Sequence, residues 1–182
     1  VWIDHCDFGK VYDGQLDIVH GSDLVTISWC RFAGEDDHPQ KKGLLFGHSS
    51  SANAVAADRG YLNVTIDHCW FKDLGSRSPR LRTGNVHFVN NLVESVESAT
   101  ISVNGGATWV DHCVYRNCKV ATTWSHADDS IEKGRAGRLK ISNCLRQPEA
   151  KGSPTDFIDS PGPFAFNKPA AWTWEDLGKL PY

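Results

Sequence analysis

The sequence predicts an all-β chain wound as a right-handed parallel β-helix of about six rungs, and three observations predict it. One hexapeptide pattern recurs six times, as VWIDHC from Val1, VTISWC from Val25, VTIDHC from Val64, VHFVNN from Val86, TWVDHC from Thr108 and LKISNC from Leu139. Its last residues, Cys6, Cys30, Cys69, Asn91, Cys113 and Cys144, follow one another at steps of 24, 39, 22, 22 and 31 residues. The short steps define a rung and the long ones imply inserted loops. Within every copy but one the first and third residues are both apolar (Thr108 takes the first place in the fifth), the period-2 signature of a strand with one buried face. Like residues returning at one phase is what stacked parallel coils require, because each turn pairs with the next at about 4.8 Å.

The elements follow in order along each rung. From Ile3 to Cys6 the spacing is three, so the alternation breaks and the chain must bend there. Two residues past the Cys or Asn come Phe8, Phe32, Phe71, Val93 and Tyr115, a series that fails only at Arg146. A second strand is expected at QLDI, LLFG, RLRT, TISV and TTWS, with Leu16, Leu45, Leu81, Ile101 and Thr123 at matching inward phases. The cysteines at the repeat position read as a ladder of small buried hydrophobes shared with Asn91, Cys118 standing outside it. Disulfides between adjacent rungs are the alternative reading. Helical periodicity is weak, with one tail turn expected at Trp174 to Leu180. Residues 148–182, rich in Pro, Gly and Trp, read as a tail packed along the side of the coil, and 1–182 reads as one domain. Val1-Trp2-Ile3-Asp4 already has the pattern of a strand, so material upstream is expected to have been removed.

A hydrophobic content of 40%, with 23% charged residues, is that of a soluble globular chain. A net charge of -3 supplies no broad basic field for nucleic acid, and no apolar run approaches the ~18 residues a membrane span needs. An acidic polymer would need locally concentrated cations.

The second strand offers them. Asp17, Phe46 and Arg82 each follow a predicted inward leucine and are expected above one another on the outer surface. Asp13, Lys42 and Ser78 lie four residues earlier, with Arg77 next to Ser78. The dense stretch Arg77-Ser78-Pro79-Arg80-Leu81-Arg82 repels itself unless an anion offsets it, and the planar arginine fork fits a carboxylate. Asp13 and Asp17, four apart across a bend at Gly14, are oxygen donors suited to Ca²⁺ but too few to hold it alone. Surface ion pairing is the bland reading of the same residues.

VWIDHC, DGQLDIVHGSDLVTIS, KGLLFGHS, SRSPRLRTG and VHFVNN, in that order, resemble the pectate lyases of polysaccharide lyase family 1, closely from Val1 to about Val93. The resemblance implies a secreted enzyme, acting as a monomer, that cleaves α-1,4-polygalacturonate by calcium-dependent β-elimination to unsaturated oligogalacturonides. It matches Asp13 and Asp17 to calcium-binding acidic positions and Lys42 to a contact with the substrate carboxylate. It matches Arg77 to the catalytic base and Arg82 to a substrate-binding arginine, and Arg80 is grouped with Lys42 and Arg82 as substrate-binding. Family members carry further calcium-binding aspartates upstream of the WIDH motif, so the calcium site is expected to be incomplete. The resemblance also implies that the material upstream is N-terminal rungs and a cap, missing from this chain. Pectin lyase action on methyl-esterified polymer and a non-catalytic carbohydrate-binding β-helix are the competing readings. A polygalacturonase would need clustered catalytic aspartates.

The DHC triplets at Asp4, Asp67 and Asp111 read as repeat-phase structural residues rather than a metal ladder. His48 and His87 are expected near the groove. Trp124 and His126 are either a distal subsite or packing.

Overall fold

The computed structural model describes residues 1–37, 39–124 and 136–147, and they form a parallel β-helix of three sheets. The first sheet stacks β1 (Trp2–Asp4), β4 (Val25–Ser28), β7 (Asn63–Asp67), β10 (Asn85–Val89), β13 (Ala107–Asp111) and β16 (Arg138–Ser142). The second stacks β2 (Asp7–Phe8), β5 (Arg31–Ala33), β8 (Trp70–Lys72), β11 (Leu92–Glu94), β14 (Val114–Arg116) and β17 (Leu145–Gln147). The third stacks β3 (Gly14–Ile18), β6 (Lys42–Phe46), β9 (Arg80–Leu81), β12 (Ser98–Ser102) and β15 (Val120–Thr123). Every strand pair is parallel, and the hexapeptide repeat is the first sheet: Ile3, Ile27, Ile66, Phe88, Val110 and Ile141 are register partners in turn.

The predicted bend is a left-handed residue. His5, Trp29, His68, Asn90, His112 and Asn143 all have φ between 48° and 55°, so the same unusual conformation turns the chain out of the first sheet on each rung. Each histidine there closes onto the aspartate before it, at 2.6 Å in Asp4–His5, 2.7 Å in Asp67–His68 and 3.0 Å in Asp111–His112. A second left-handed set, Asp73, Ser95 and Asn117, turns the chain out of the second sheet.

Past the first bend, the side chain at the repeat's last position fills the corner. Backbone N–H groups of Cys6, Asn91 and Cys113 donate to the sulfurs of Cys30, Cys113 and Cys144 at 3.4–3.5 Å, and that of Cys69 donates to Asn91 Oδ1 at 2.7 Å. None of the six cysteines is in a disulfide. Cys118 is buried one bend later, its sulfur reaching the Val93 carbonyl. The core continues as a stack of rings, Phe8 on Phe32 at 4.5 Å and Phe32 on Phe71 at 4.9 Å, with Phe88 at 5.5 Å from Phe71.

The 39-residue step after Cys30 contains the one helix among the described residues, α1 (Ala52–Ala57). Ser51 caps it by accepting from the Ala54 N–H, and the buried Asp58 accepts from the Gly21 N–H at 2.8 Å, fastening the insertion to the preceding rung. The residues of the expected tail, 148–182, with Trp174 to Leu180, lie outside the described residues.

In the third sheet the register differs from the sequence reading by one residue. Leu16 pairs with Leu44, Asp17 with Leu45, and Ile18 with Phe46; Leu45 then pairs with Arg80 and Phe46 with Leu81. Leu44 and Phe46 are both core residues, fully buried, so Leu45 between them faces the other way. Phe46 is therefore not an outer-surface residue, and the row runs Asp17, Leu45, Arg80, Ile101 and Thr123, so Leu45, Ile101 and Thr123 do not share the inward phase of Leu81 as expected and Arg80 takes the place expected for Arg82. The reason is local: Leu44-Leu45-Phe46 is apolar throughout and carries no alternation to set which residue faces in.

Candidate active site

The third sheet and the segments that lead into it bring together Asp13, Asp17, Lys42, Arg77, Arg80 and Arg82. Asp13 lies immediately before β3, Lys42 opens β6 opposite Gly14, and Lys42 bridges to Ser76, next to Arg77. Arg80 and Arg82 lie on and just past β9. Residues far apart in the chain thus meet because three consecutive rungs present the same edge.

Asp13 Oδ1 is the hub. It accepts from Lys42 Nζ at 3.0 Å and lies 3.8 Å from Arg77 Nη1. The Lys42 hydrogen bond, with the charges of Arg77, Lys42 and Arg82, holds the Asp13 carboxyl below the usual range. Lys42 also donates to Gln40, a contact the sequence reading did not include. Asp17 behaves oppositely. Asp17 is exposed at the surface, yet partial desolvation by its neighbours pushes its carboxyl up against the opposing charge of Arg77, and the nearby Asp13 charge adds to the rise. Leu45 at its register position places an aliphatic side chain beside it.

Arg77 is the least exposed of these groups, with 9% of the residue accessible. Its backbone has φ 66°, the left-handed conformation that also turns the rung corners. The strand beside it holds it there: Leu44 N–H donates to the Arg77 carbonyl at 2.6 Å and Gly43 N–H to that of Ser76 at 3.0 Å. Nη1 is buried and makes no hydrogen bond. Burial pulls the Arg77 pKa below that of an ordinary guanidinium, Asp13 and Asp17 oppose the shift, and Arg82 and Arg80 reinforce it.

Arg82 is fixed by donation from Nη1 to the carbonyls of His48, at 2.9 Å, and Gly47, at 3.4 Å. The His48 ring stacks on His20 with centroids 4.2 Å apart, so His48 does border this face. His87 does not: it sits on β10 of the first sheet, stacked on Trp109 at 4.8 Å. Trp124, half-buried, packs against the core, and His126 lies outside the described residues.

As cation ligands, Asp13 and Asp17 are hard oxygen donors, the type Ca²⁺ takes, but Ca²⁺ needs six to eight oxygens. Among the described residues no group of three or more His, Cys, Asp or Glu side chains could hold a metal ion. The residues present fit calcium in kind and supply part of its shell.

Fold and site together define a parallel β-helix with two aspartates, a lysine and three arginines gathered on one outer face. The chain belongs to the pectate lyase family: a family model described as "Pectate lyase" matches residues 1–131. Among curated proteins it is similar to pectate lyase B of Colletotrichum gloeosporioides, 38% identical over 133 residues that make up 68% of this chain and 38% of that protein. It is also similar to a pectate trisaccharide-lyase of Thermotoga maritima, 40% identical over 92 residues, 50% of this chain and 23% of that one. The chain thus spans well under half the length of these relatives. A crystal structure of a pectate lyase from Bacillus sp. N165, in complex with trigalacturonate, superposes with a TM-score of 0.63 over 90% of this chain and 53% of that one; at 22% identity it attests the shared fold.

Proposed function

We propose that this chain carries the catalytic face of a secreted, monomeric pectate lyase that cleaves polygalacturonate by calcium-dependent β-elimination. The observation that carries the reading is the buried Arg77, its Nη1 without a hydrogen bond, set between two carboxylates and two further arginines on an outward-facing sheet.

In this reading Lys42, Arg80 and Arg82 bind uronate carboxylates, arginine by its planar fork and lysine as a point charge. Asp13 and Asp17 would hold Ca²⁺, with water and substrate carboxylates supplying the remaining oxygens. Calcium, when bound, supplies positive charge against the enolate-like charge that develops on the uronate. Arg77 takes the C5 proton. The C5–H electron pair becomes the C4=C5 double bond, the C4–O bond breaks, and the departing oxygen acquires a proton. Arginine is a poor base while protonated, and its burial here favours the neutral form needed. The family and the trigalacturonate complex of the Bacillus protein support the substrate class.

The test is ultraviolet detection of unsaturated oligogalacturonides from polygalacturonate and from methyl-esterified pectin, each with Ca²⁺ titrated in and with EDTA. Calcium-dependent product from the unesterified polymer is expected. Chelator-insensitive cleavage of esterified pectin would overturn the reading. Arg77→Ala should abolish product while leaving trigalacturonate binding largely intact, whereas equal activity would remove Arg77 from the mechanism.

A further inference from the structure

A side chain at position 14 would crowd two groups of the candidate site. An ideal Cβ built on Gly14 would lie 3.1 Å from Arg77 Nη1, 3.1 Å from Asp17 Oδ1 and 3.4 Å from the Gly43 carbonyl oxygen. Two of those contacts are with groups of the candidate site, and both are tighter than ordinary van der Waals spacing. Gly14 does not have a positive φ, so its backbone conformation alone does not call for glycine. What calls for it is the space. On the next rung, a Cβ on Gly43 would lie 2.4 Å from the Arg77 carbonyl oxygen, so that glycine admits the Arg77 backbone while Gly14 admits its guanidinium.

We propose that Gly14 is a positioning residue: its missing side chain leaves the slot that seats the Arg77 guanidinium beside Asp13 and Asp17. The proposal rests on the lyase reading above. Nη1 has no hydrogen bond to hold it and its ion pair with Asp13 Oδ1 is long, at 3.8 Å, so the shape of its surroundings takes a large part in where it points. Gly14 is the residue with no side chain of its own in that shape. A methyl group there makes Nη1, Asp17 Oδ1 or both give by a few tenths of an ångström, and since a misplacement of about 1 Å at a reacting group lowers turnover by about 100-fold, a shift of that size lowers it by roughly 4- to 10-fold.

Gly14→Ala is compared with wild type and with Gly9→Ala, whose added Cβ would meet only the end of the Glu35 side chain, at 3.1 Å. Turnover is normalised to the fraction of protein that binds trigalacturonate. For Gly14→Ala a fall of roughly 4- to 10-fold in kcat with KM nearly unchanged is expected, and for Gly9→Ala no change. A loss that tracks only the binding-competent fraction, or unchanged kcat, overturns the proposal. Nitrogen-detected NMR of the Arg77 side chain, assigned with Arg77→Lys, reads the same seat without turnover. Gly14→Ala should shift that signal and Gly9→Ala should not; an unmoved Arg77 signal overturns the proposal. Absence of unsaturated product from wild type would instead count against the lyase reading, leaving the NMR comparison to decide on Gly14.

Discussion

Asp17 carries a conflict between stability and function. Its folded-state pKa is raised by partial desolvation, so between its unfolded and folded values the folded protein binds more protons. Stability is therefore full in acid and falls as pH rises through that window. Asp17→Asn removes the cost, so it should melt at a higher temperature than wild type at neutral pH, with the difference vanishing in acid below both pKa values. The same change should weaken any calcium response, because a cation ligand is lost. Arg77 sets the opposite limb. If its neutral form is the base, product formation should climb with pH through neutrality, up to tenfold per unit while the guanidinium stays mostly protonated. A pH–rate profile that is flat across that range would exclude Arg77 as the base. The residue identities of this face were legible in the sequence, since a self-repelling run of arginines and two aspartates flanking a glycine are unusual on a strand. The slot at Gly14 was not. A glycine at a bend looks the same whether it serves the turn or leaves room for a guanidinium delivered by another rung.

Among the elements, the corner ladder and the ring stack bear most directly on stability. Asn91 both accepts from Cys69 N–H and donates from Nδ2 to the Ile66 carbonyl at 2.9 Å. Asn91→Ala leaves two buried backbone groups without partners and should cost about 2–3 kcal/mol in denaturant unfolding. Asn91→Cys restores what neighbouring rungs use and should cost about half as much. Phe71, between Phe32 and Phe88, should cost about 3–5 kcal/mol as Phe71→Ala, by the same measurement. Strand existence in the first two sheets was readable because one face alternates and one residue type recurs at the corner. In β6 the sequence reading failed by one residue. Three adjacent apolar side chains leave the inward parity open, and pairing with β3 and β9 closes it by burying Leu44 and Phe46 together.

At the scale of the molecule, a coil of nearest-neighbour rungs should lose structure from the rungs that have one partner. β1, β2 and β3 are the end strands of all three sheets, and Ile3, Phe8 and Leu16 there are only partly covered. Amide hydrogen exchange should be slowest in β7 to β12, whose strands are paired on both sides in all three sheets. Uniform protection would mean that the coil unfolds as one unit.

By itself the sequence determined the period, the coil and the residue types of the charged face, because a repeat at fixed phase leaves a parallel stack few other arrangements. Only the tertiary structure decided which residues share a row, that Leu45 rather than Phe46 lies between Asp17 and Arg80, and that Arg77 enters a gap left by Gly14. Those outcomes depend on contacts between rungs some 30 residues apart, where burial of one side chain selects the facing of another, and no local pattern within either rung encodes that choice.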